Sequence, residues 1–349
     1  MDRYSRQTKL TNINERGQEL LLTSSVLIIG VGGLGCPVAQ YLVGAGVGRV
    51  GLVDGDTVDL SNLHRQVLYT EEDCRSPKAS AAMRHLKNLN STVELEAFDS
   101  YLSEAMALEL FDRFEIIIDC TDNIPARLLI NDVCCKLDKA WVYGGVRQFE
   151  GQVSVFNHEN GPSYKCLFPN HAVNQASCID EGVLGTSPGI VGTYMANETI
   201  KLILGIGDLL SGKLMVINFL SNSTHIYVVK RNPENFVFGE FETIRTITPI
   251  ELKNKFGKED FLLIDVREAN EVAICTLPDA IHLPLSTFST SYEVIENETR
   301  RPIIAYCHHG MRSLQALQFL QSKGFQNLHN LSGGIDQWAK EIDPAMKRY

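Results

Sequence analysis

Short apolar runs alternate with amphipathic segments along the first 230 residues of the chain. Val26–Ile29, Val50–Val53 and Ile116–Ile118 are almost wholly apolar, which is typical of parallel strands buried on both faces. Residues 78–90, which lie between two of these runs, carry an apolar stripe at helical spacing. Strands that alternate with helices predict an α/β fold with a largely parallel sheet.

A similar pattern resumes after a break in composition at residues 231–246, where aliphatic residues are few. The sequence Thr-Pro-Ile-Glu at 248–251 has the N-cap, first-turn proline and acidic residue of a helix start. The apolar runs 261–264 and 303–306 predict further buried strands. We therefore place a first domain at residues 1–238, a linker at 239–244 and a smaller α/β domain at 245–349.

The first apolar run leads into a glycine-rich turn. Gly30, Gly32 and Gly35 have the spacing of a nucleotide-binding turn between a strand and a helix that begins near Gly33. Amides at the start of such a helix bind phosphate. Asp54 ends the second strand, about twenty positions further on, as expected of an acid that binds ribose. The turn predicts a nucleotide site, and a purely structural tight turn is the alternative.

Polar and charged side chains follow the predicted strands at the edge where open α/β sheets bind ligands. Carboxylates hold metal ions, and Arg and Lys neutralise phosphate oxygens, so this mixture suits a magnesium triphosphate better than a dinucleotide. Asp122 is also placed to cap the helix that begins near Pro125. For each residue taken alone, a surface ion pair is the alternative. The candidate nucleotide-binding residues are Gly30, Gly32, Gly33, Gly35, Asp54, Asp56, Asn62, Arg65, Gln66, Lys78, Asp122 and Asn123.

A second candidate site follows the strand at 303–306. Cys307 opens the loop Cys-His-His-Gly-Met-Arg-Ser, which leads into a predicted helix. Loop amides and a helix N-terminus stabilise a thiolate at such a position, and Arg312 adds a fixed positive charge. Four residues separate Cys307 from Arg312, one fewer than in cysteine phosphatases, so the ring suits a persulfide sulfur better than a phosphate. A buried structural cysteine is the alternative.

Composition excludes several classes of protein. The chain has 349 residues and a net charge of −10, which argues against nucleic acid as the main partner. The N-terminal residues lack the apolar core of a signal peptide, and no apolar run reaches the length of a membrane span. Nine scattered cysteines favour a reducing, cytoplasmic location over a disulfide framework.

Together these motifs resemble those of the MoeB/ThiF adenylyltransferases, relatives of the ubiquitin-activating enzymes, over residues 1–238. Residues 245–349 resemble a rhodanese domain. The fold implied is a Rossmann-like ATP-binding domain followed by a small α/β rhodanese domain. The motifs that carry the first resemblance are Arg3-Tyr-Ser-Arg6-Gln, the glycine turn, Asp54-x-Asp-x-Val-Asp-x-Ser-Asn62-Leu-x-Arg65-Gln66, Pro77-Lys78 and Cys120-Thr-Asp-Asn123.

The resemblance implies an activity. ATP would adenylate the C-terminal carboxylate of a ubiquitin-like sulfur carrier that ends in Gly-Gly, of the molybdopterin-synthase or thiamine type. A persulfide on Cys307 would then convert the carrier to a thiocarboxylate, with a cysteine desulfurase or thiosulfate as sulfur donor. Asp54 would bind the ribose, Arg65 and Lys78 would contact the triphosphate, and Asp122 would hold Mg²⁺.

Two further residues gain implied roles. In the family, the arginine at the position of Arg6 reaches into the ATP site of the second subunit of a homodimer. Cys178 lies at the position of the crossover-loop cysteine, which in some members forms a thioester or a mixed persulfide with the carrier.

One departure from the family concerns zinc. Members usually carry two C-x-x-C pairs, but here Ser163-Tyr-Lys-Cys166 and Asn235-Phe-Val-Phe238 stand in their places. A single thiolate cannot form a tetrahedral zinc site. We therefore predict no structural zinc and expect apolar contacts of Phe236 and Phe238 to hold this region together.

Two other functions fit part of the pattern. An NAD(P)-dependent oxidoreductase with an accessory sulfurtransferase domain would explain the glycine turn and Asp54, but not Arg65, Lys78, Asp122 or the Cys307 loop. A non-catalytic scaffold would not need the complete set of nucleotide-binding residue types.

Overall fold

The structure is a computed structural model that describes residues 3–168, 182–236, 244–298, 301–323 and 325–349. Contacts within the chain divide it into two compact units, with the division after residue 238. Cys178, Phe238 and the predicted linker apart from Ile244 lie outside the described residues.

The described part of the first unit forms a single sheet of eight strands in the order β3-β2-β1-β4-β5-β6-β7-β8. The strands are β1 (Ser25–Ile29), β2 (Arg49–Val53), β3 (Glu94–Phe98), β4 (Ile116–Asp119), β5 (Trp141–Arg147), β6 (Glu150–Phe156), β7 (Lys213–Asn218) and β8 (Ser223–Val228). Strands β1 to β5 pair in parallel, and β6 to β8 extend the sheet in antiparallel fashion. The chain crosses from β3 to β4 over β1, so the loops after β1 and β4 lie at the topological switch point.

Helices cover both faces of this sheet. They are α1 (Asn14–Thr23), α2 (Gly35–Ala45), α3 (Lys78–Leu89), α4 (Glu104–Arg113), α5 (Ile124–Lys136), α6 (Tyr164–Leu167) and α7 (Thr186–Leu204). Val26 and Ile28 of β1 point into a core with α2, α3 and α7, whereas Leu27 and Ile29 point into a core with α4 and α5. Burial on both faces explains why β1 reads as a continuous apolar run.

The second unit contains a parallel sheet in the order β11-β10-β12-β13-β9 over its described residues. Its strands are β9 (Arg245–Ile247), β10 (Leu262–Asp265), β11 (Ile281–His282), β12 (Ile303–Tyr306) and β13 (Leu328–Leu331). Its helices are α8 (Pro249–Lys255), α9 (Ala269–Val272), α10 (Phe288–Ser291), α11 (Met311–Ser322) and α12 (Gly334–Glu341). Strand β12 is central, so the loop that follows it lies in the middle of the carboxyl edge.

The predicted α/β class is confirmed in both units. The predicted helix start at 248 is also present, since Thr248 Oγ1 lies 2.8 Å from Glu251 Oε2 in a capping box. Helix α2 begins at Gly35 rather than Gly33, because Gly33 and Leu34 form a turn. Within the described ranges, no helix has the length and apolar character that a membrane span requires.

Candidate functional site

The glycine turn between β1 and α2 depends on close backbone packing. Gly30 has φ +88°, and a Cβ there would lie 2.8 Å from Cys120 O. A Cβ on Gly35 would lie 2.1 Å from Gly30 O. Among the described residues, the amides of Gly32 and Gly33 have no hydrogen-bond acceptor. The turn therefore presents free donors at the start of α2, which is the arrangement that binds an anion.

The loop after β2 brings Arg65 and Gln66 to this turn. A Cβ on Gly33 would lie 3.6 Å from Arg65 Cγ, and a Cβ on Gly32 would lie 3.5 Å from Gln66 Nε2. Gln66 Nε2 donates to Asn62 Oδ1 over 2.9 Å. Gln66 is buried, yet its Oε1 has no partner in the described part of the chain. A buried acceptor without a donor beside free amides is typical of a ligand site.

Two aspartates follow β2 and differ in their partners. Asp54 Oδ2 accepts a hydrogen bond from Val31 N over 2.7 Å, and its Oδ1 accepts one from Asp56 N over 2.9 Å. Burial raises the pKa of Asp54. Asp56 accepts hydrogen bonds from Lys78 Nζ, at 2.9 Å, and from the Tyr101 hydroxyl. Burial opposes ionisation of Asp56, but these two donors lower its pKa. Lys78 is thus held at the turn by an acid.

The loop after β4 carries the candidate metal ligand. Asn123 Oδ1 accepts the hydrogen bond that caps α5, at 2.9 Å, so Asn123 takes the capping role that the sequence allowed for Asp122. Asp122 is exposed and makes no side-chain hydrogen bond or ion pair with any described residue. Burial is the largest cause of the raised pKa of Tyr101, and nearby carboxylates, which include Asp56 and Asp122, raise this pKa further. Asp122 therefore belongs to the same charged cluster as Asp56.

A buried ion pair that the sequence analysis missed supports this loop. Arg127 Nη2 donates to Thr121 O over 2.8 Å, and Arg127 Nε lies 3.9 Å from Asp119 Oδ2. The guanidinium also lies 5.2 Å from the centroid of the Tyr143 ring. Arg127 thereby holds the backbone just before Asp122. The sequence did contain a signal for this pair, because Asp119 ends an apolar strand and a buried acid at such a position needs a partner.

Tyr69 and Tyr101 were also missed. The Tyr69 hydroxyl lies 2.8 Å from Val31 O and 3.2 Å from Lys78 O, so it links the glycine turn to the start of α3. Tyr101 packs on Gly55, where a Cβ would lie 2.6 Å from its ring. Both tyrosines act through tertiary contacts, for which no local sequence pattern exists.

In the second unit, the loop between β12 and α11 surrounds Cys307. Gly310 N donates to Cys307 Sγ over 3.0 Å, and Ser313 Oγ lies 3.6 Å from the same sulfur. Gly310 has φ +100°, which permits this turn. Cys307 is only 2% exposed. The loop therefore places one backbone amide and one side-chain hydroxyl at the sulfur.

Arg312, which was predicted to add a fixed positive charge near Cys307, has an acidic partner that the sequence did not indicate. Its guanidinium forms two hydrogen bonds with Glu271 of α9, at 2.5 and 2.7 Å. The bonds from Arg312 lower the pKa of Glu271 to about 2. Glu271 lies far from Arg312 in the sequence, so no local pattern reveals the pair.

The region of the absent zinc ligands is held by other contacts. Cys166 Sγ accepts from Ser163 N over 3.4 Å and from Asn232 N over 3.3 Å. Burial opposes ionisation of Cys166, but these hydrogen bonds lower its pKa. Phe236 packs against the guanidinium of Arg231, 3.5 Å from the ring centroid, rather than in a purely apolar contact. No cluster of metal-binding side chains occurs in the described ranges.

Comparisons with known proteins identify the family. Residues 4–236 match the ThiF family, and residues 248–341 match the rhodanese-like domain. The chain belongs to the ThiF family and carries a rhodanese-like domain. The adenylyltransferase and sulfurtransferase MOCS3 of Arabidopsis thaliana is 34% identical, and the match covers 99% of this chain and 85% of that protein. MOCS3 of Mus musculus is 35% identical, with coverage of 99% and 87%.

Two other proteins extend this comparison. The sulfur carrier protein adenylyltransferase of Thermus thermophilus is 46% identical over 72% of this chain and 95% of its own length. A crystal structure of Escherichia coli MccB with MccA-N7isoASN has a TM-score of 0.59 at 20% identity, covers 66% of this chain and 72% of that chain, and shows the shared fold. The relatives confirm the predicted class, an adenylyltransferase and sulfurtransferase.

The last two predicted site residues are Arg6 and Cys178. Arg6 is exposed in the segment before α1, and Cys178 lies outside the described residues.

Proposed function

We propose that this protein activates a ubiquitin-like sulfur carrier by adenylating its C-terminal carboxylate with ATP, and then transfers sulfur to it from Cys307. The observation that carries the proposal is the convergence of Arg65, Lys78 and the β4 loop with Asp122 on one glycine turn. The name of the Thermus thermophilus relative, a sulfur carrier protein adenylyltransferase, supports the substrate class.

ATP fits the residues at the first site. The free amides of Gly32 and Gly33 and the guanidinium of Arg65 suit phosphate oxygens. Asp54 has lone pairs left for the ribose hydroxyls after its two backbone hydrogen bonds. Lys78 reaches a phosphate when Nζ exchanges or shares its bond to Asp56. These groups cover all parts of a nucleoside triphosphate except the base.

Mg²⁺ fits the carboxylate of Asp122, since this ion is commonly held by one or two carboxylates together with substrate phosphates. When bound, the ion would neutralise charge on the phosphate oxygens. The remaining residues act without it: Arg127 and Asn123 fix the loop that carries Asp122. We further propose that Arg6 contacts the nucleotide of a second copy in a homodimer, where Arg6 would complete the set of cations.

The first chemical step needs no side-chain base. A carboxylate oxygen of the carrier attacks the α-phosphorus of ATP and forms the new P–O bond, while the bond to pyrophosphate breaks and pyrophosphate leaves. The carrier's carboxylate is itself the nucleophile, so no proton has to be removed. Arg65 and Lys78 stabilise the charge that accumulates on the leaving pyrophosphate.

The second step uses a persulfide on Cys307, loaded from thiosulfate or from the persulfide of a cysteine desulfurase. Its terminal sulfur attacks the acyl-adenylate carbonyl, AMP leaves, and an acyl disulfide links the carrier to Cys307. The thiol of Cys178 then attacks the Cys307 sulfur, which releases the carrier thiocarboxylate and forms a Cys178–Cys307 disulfide. An external thiol reduces that disulfide before the next turnover.

Pyrophosphate exchange tests the proposal. The protein is incubated with ATP, labelled pyrophosphate and a purified carrier of the molybdopterin-synthase or thiamine type that ends in Gly-Gly. We expect label to enter ATP only when the carrier is present, because the carrier's carboxylate is the nucleophile. Absence of exchange with every such carrier, in folded protein, would refute adenylation.

The oxidoreductase alternative is separated by thermal shift. A ligand that binds the folded state raises the melting temperature. We expect Mg-ATP to raise it and NAD(P) to leave it unchanged, whereas the reverse order would favour the oxidoreductase.

A further inference from the structure

Tyr349 contacts three parts of the Cys307 site from far along the chain. Its hydroxyl donates to Glu271 Oε1 over 2.9 Å and accepts from Arg267 Nη1 over 3.0 Å. Its ring stacks on the ring of His308, with centroids 4.3 Å apart and planes inclined by 29°. His308 is the residue next to Cys307. One side chain therefore contacts both the active loop and the acid that holds Arg312.

The Arg267 end of these contacts is rigid. The Arg267 side chain is fully buried and pairs with Asp265, with Nε 2.9 Å from Oδ1. Arg267 Nη2 also donates to Cys275 O over 2.7 Å. A buried arginine with this many partners has little freedom to move. The Tyr349 hydroxyl is therefore anchored to a fixed donor.

The Glu271 end of these contacts includes Arg312. Glu271 Oε1 accepts from both Tyr349 and Arg312, and Oε2 accepts from Arg312 and from Glu268 N. Helix α9, which carries Glu271, is only four residues long and begins at Ala269. So short a helix holds a side chain weakly by itself. The bond from Tyr349 supplies a second fixed point for this carboxylate, and hence for Arg312.

We propose that Tyr349 is a positioning residue for the chemistry at Cys307. Its hydroxyl fixes Glu271, which orients Arg312, and its ring holds the imidazole of His308, the residue next to Cys307. The inference rests on the proposed function only for the assignment of Cys307 as the residue that holds the persulfide. The positioning role itself follows from the contacts of Tyr349.

Several charged and titratable groups lie around this loop. Arg312 interacts electrostatically with Cys307 and pairs with Glu271. Asp336 of α12 pairs with Lys340 and Arg348 and lies 3.9 Å from His309 Nδ1. Removal of the Tyr349 hydroxyl changes the hydrogen bonds of Glu271 and leaves those of Asp336 in place.

The test compares Tyr349→Phe and Tyr349→Leu with Lys347→Ala in the 349-residue chain. Lys347 is exposed and forms no side-chain hydrogen bond or ion pair with described residues. The readout is the rate of iodoacetamide alkylation at Cys307 against pH, followed by peptide-resolved mass spectrometry because the chain has nine cysteines. Phenylalanine retains the stack on His308 and removes only the hydroxyl, and leucine removes both. Melting temperatures establish that each variant is folded.

We expect the midpoint of the Tyr349→Phe profile to rise by about half a pH unit to one unit, which is a roughly three- to tenfold lower rate below the midpoint. Tyr349→Leu gives a larger shift, and Lys347→Ala gives none. Since Tyr349 acts through Glu271, the effect of Tyr349→Phe is absent or much smaller in a Glu271→Gln background. An unchanged Tyr349→Phe profile overturns the proposal, and so does a shift that adds fully to that of Glu271→Gln.

Alkylation also separates this inference from the proposed function. It measures the state of the Cys307 thiol without any sulfur donor or carrier. Wild-type protein that never forms a persulfide at Cys307 refutes the sulfur-transfer proposal, while the alkylation profiles of the two tyrosine variants still decide the role of Tyr349.

Discussion

The nucleotide site and the sulfur site are assembled in different ways. The first gathers groups from the loops after β1, β2 and β4 and from the start of α3, so its geometry depends on the whole parallel part of a large sheet. The second is formed chiefly by one loop, residues 307–313, at the end of the central strand of a smaller sheet. Each site has its own unit, core and charges, so changes in one are expected to leave the other intact.

The largest predicted effect separates the two sites completely. Cys307→Ala removes the only atom proposed to carry sulfur, so thiocarboxylate formation falls to background. Carrier-dependent pyrophosphate exchange stays within about twofold of wild type, because the nucleotide site lies in the other unit. Cys74→Ala, in the first unit, is the matched control and retains both activities. Loss of exchange in folded Cys307→Ala would contradict the independence of the sites.

The converse change tests the nucleotide site. Asp122→Asn removes the exposed carboxylate proposed to hold Mg²⁺, and we expect exchange to fall by about a hundredfold or more. Persulfide loading of Cys307 by thiosulfate is unchanged. Asp112→Asn is the control, since Asp112 is also exposed but lies at the end of α4, before β4 begins. Wild-type exchange in Asp122→Asn would remove Asp122 from the site.

A pH experiment sharpens the description of the sulfur site. The pKa of Glu271 is lowered from 4.5 to about 2, so its ion pair stabilises the fold at neutral pH, and this contribution is lost as the pH falls from about 4.5 to about 2. Glu271→Gln is expected to lower the unfolding free energy by about 2 kcal/mol at pH 7, the usual size for a charge-assisted hydrogen-bonded pair. The difference between the two proteins should vanish near pH 2.

The stability of the second unit can be measured separately because the chain has two tryptophans, Trp141 in the first unit and Trp338 in the second. In a Trp141→Phe background, Trp338 fluorescence reports unfolding of the second unit alone. A stability difference that persists unchanged to pH 2 would show that the Glu271 pair is not the cause.

The smallest predicted effect concerns zinc. Purified protein should contain well under one zinc per chain, and a chelator should leave its melting temperature unchanged, because Cys166 is the single remaining family ligand and is held by hydrogen bonds. Phe236→Ala should lower stability by about 1 kcal/mol through loss of the contact with Arg231. Arg231→Ala is expected to have the same effect. One tightly bound zinc per chain would contradict the prediction that the protein lacks structural zinc.

The sequence predicted those parts of the two sites that are formed by residues close together in the chain. The glycine turn, the acid after β2 and the Cys307 loop each lie within a few residues of a strand end, so periodicity and spacing located them. The contacts that orient these groups could not be predicted from the sequence. Arg127, Tyr101, Glu271 and Tyr349 meet their partners only through tertiary packing. Arg312 shows the consequence, since its charge was predicted and its carboxylate partner was not.

The most direct measurement is the intact mass of a Gly-Gly-ending carrier after incubation with the protein, Mg-ATP and thiosulfate or a cysteine desulfurase with cysteine. The proposed mechanism predicts an adenylated carrier when ATP is present without a sulfur source, and a thiocarboxylate when both are present. A carrier that gains sulfur without ATP, or one whose mass never changes with folded enzyme, would contradict it.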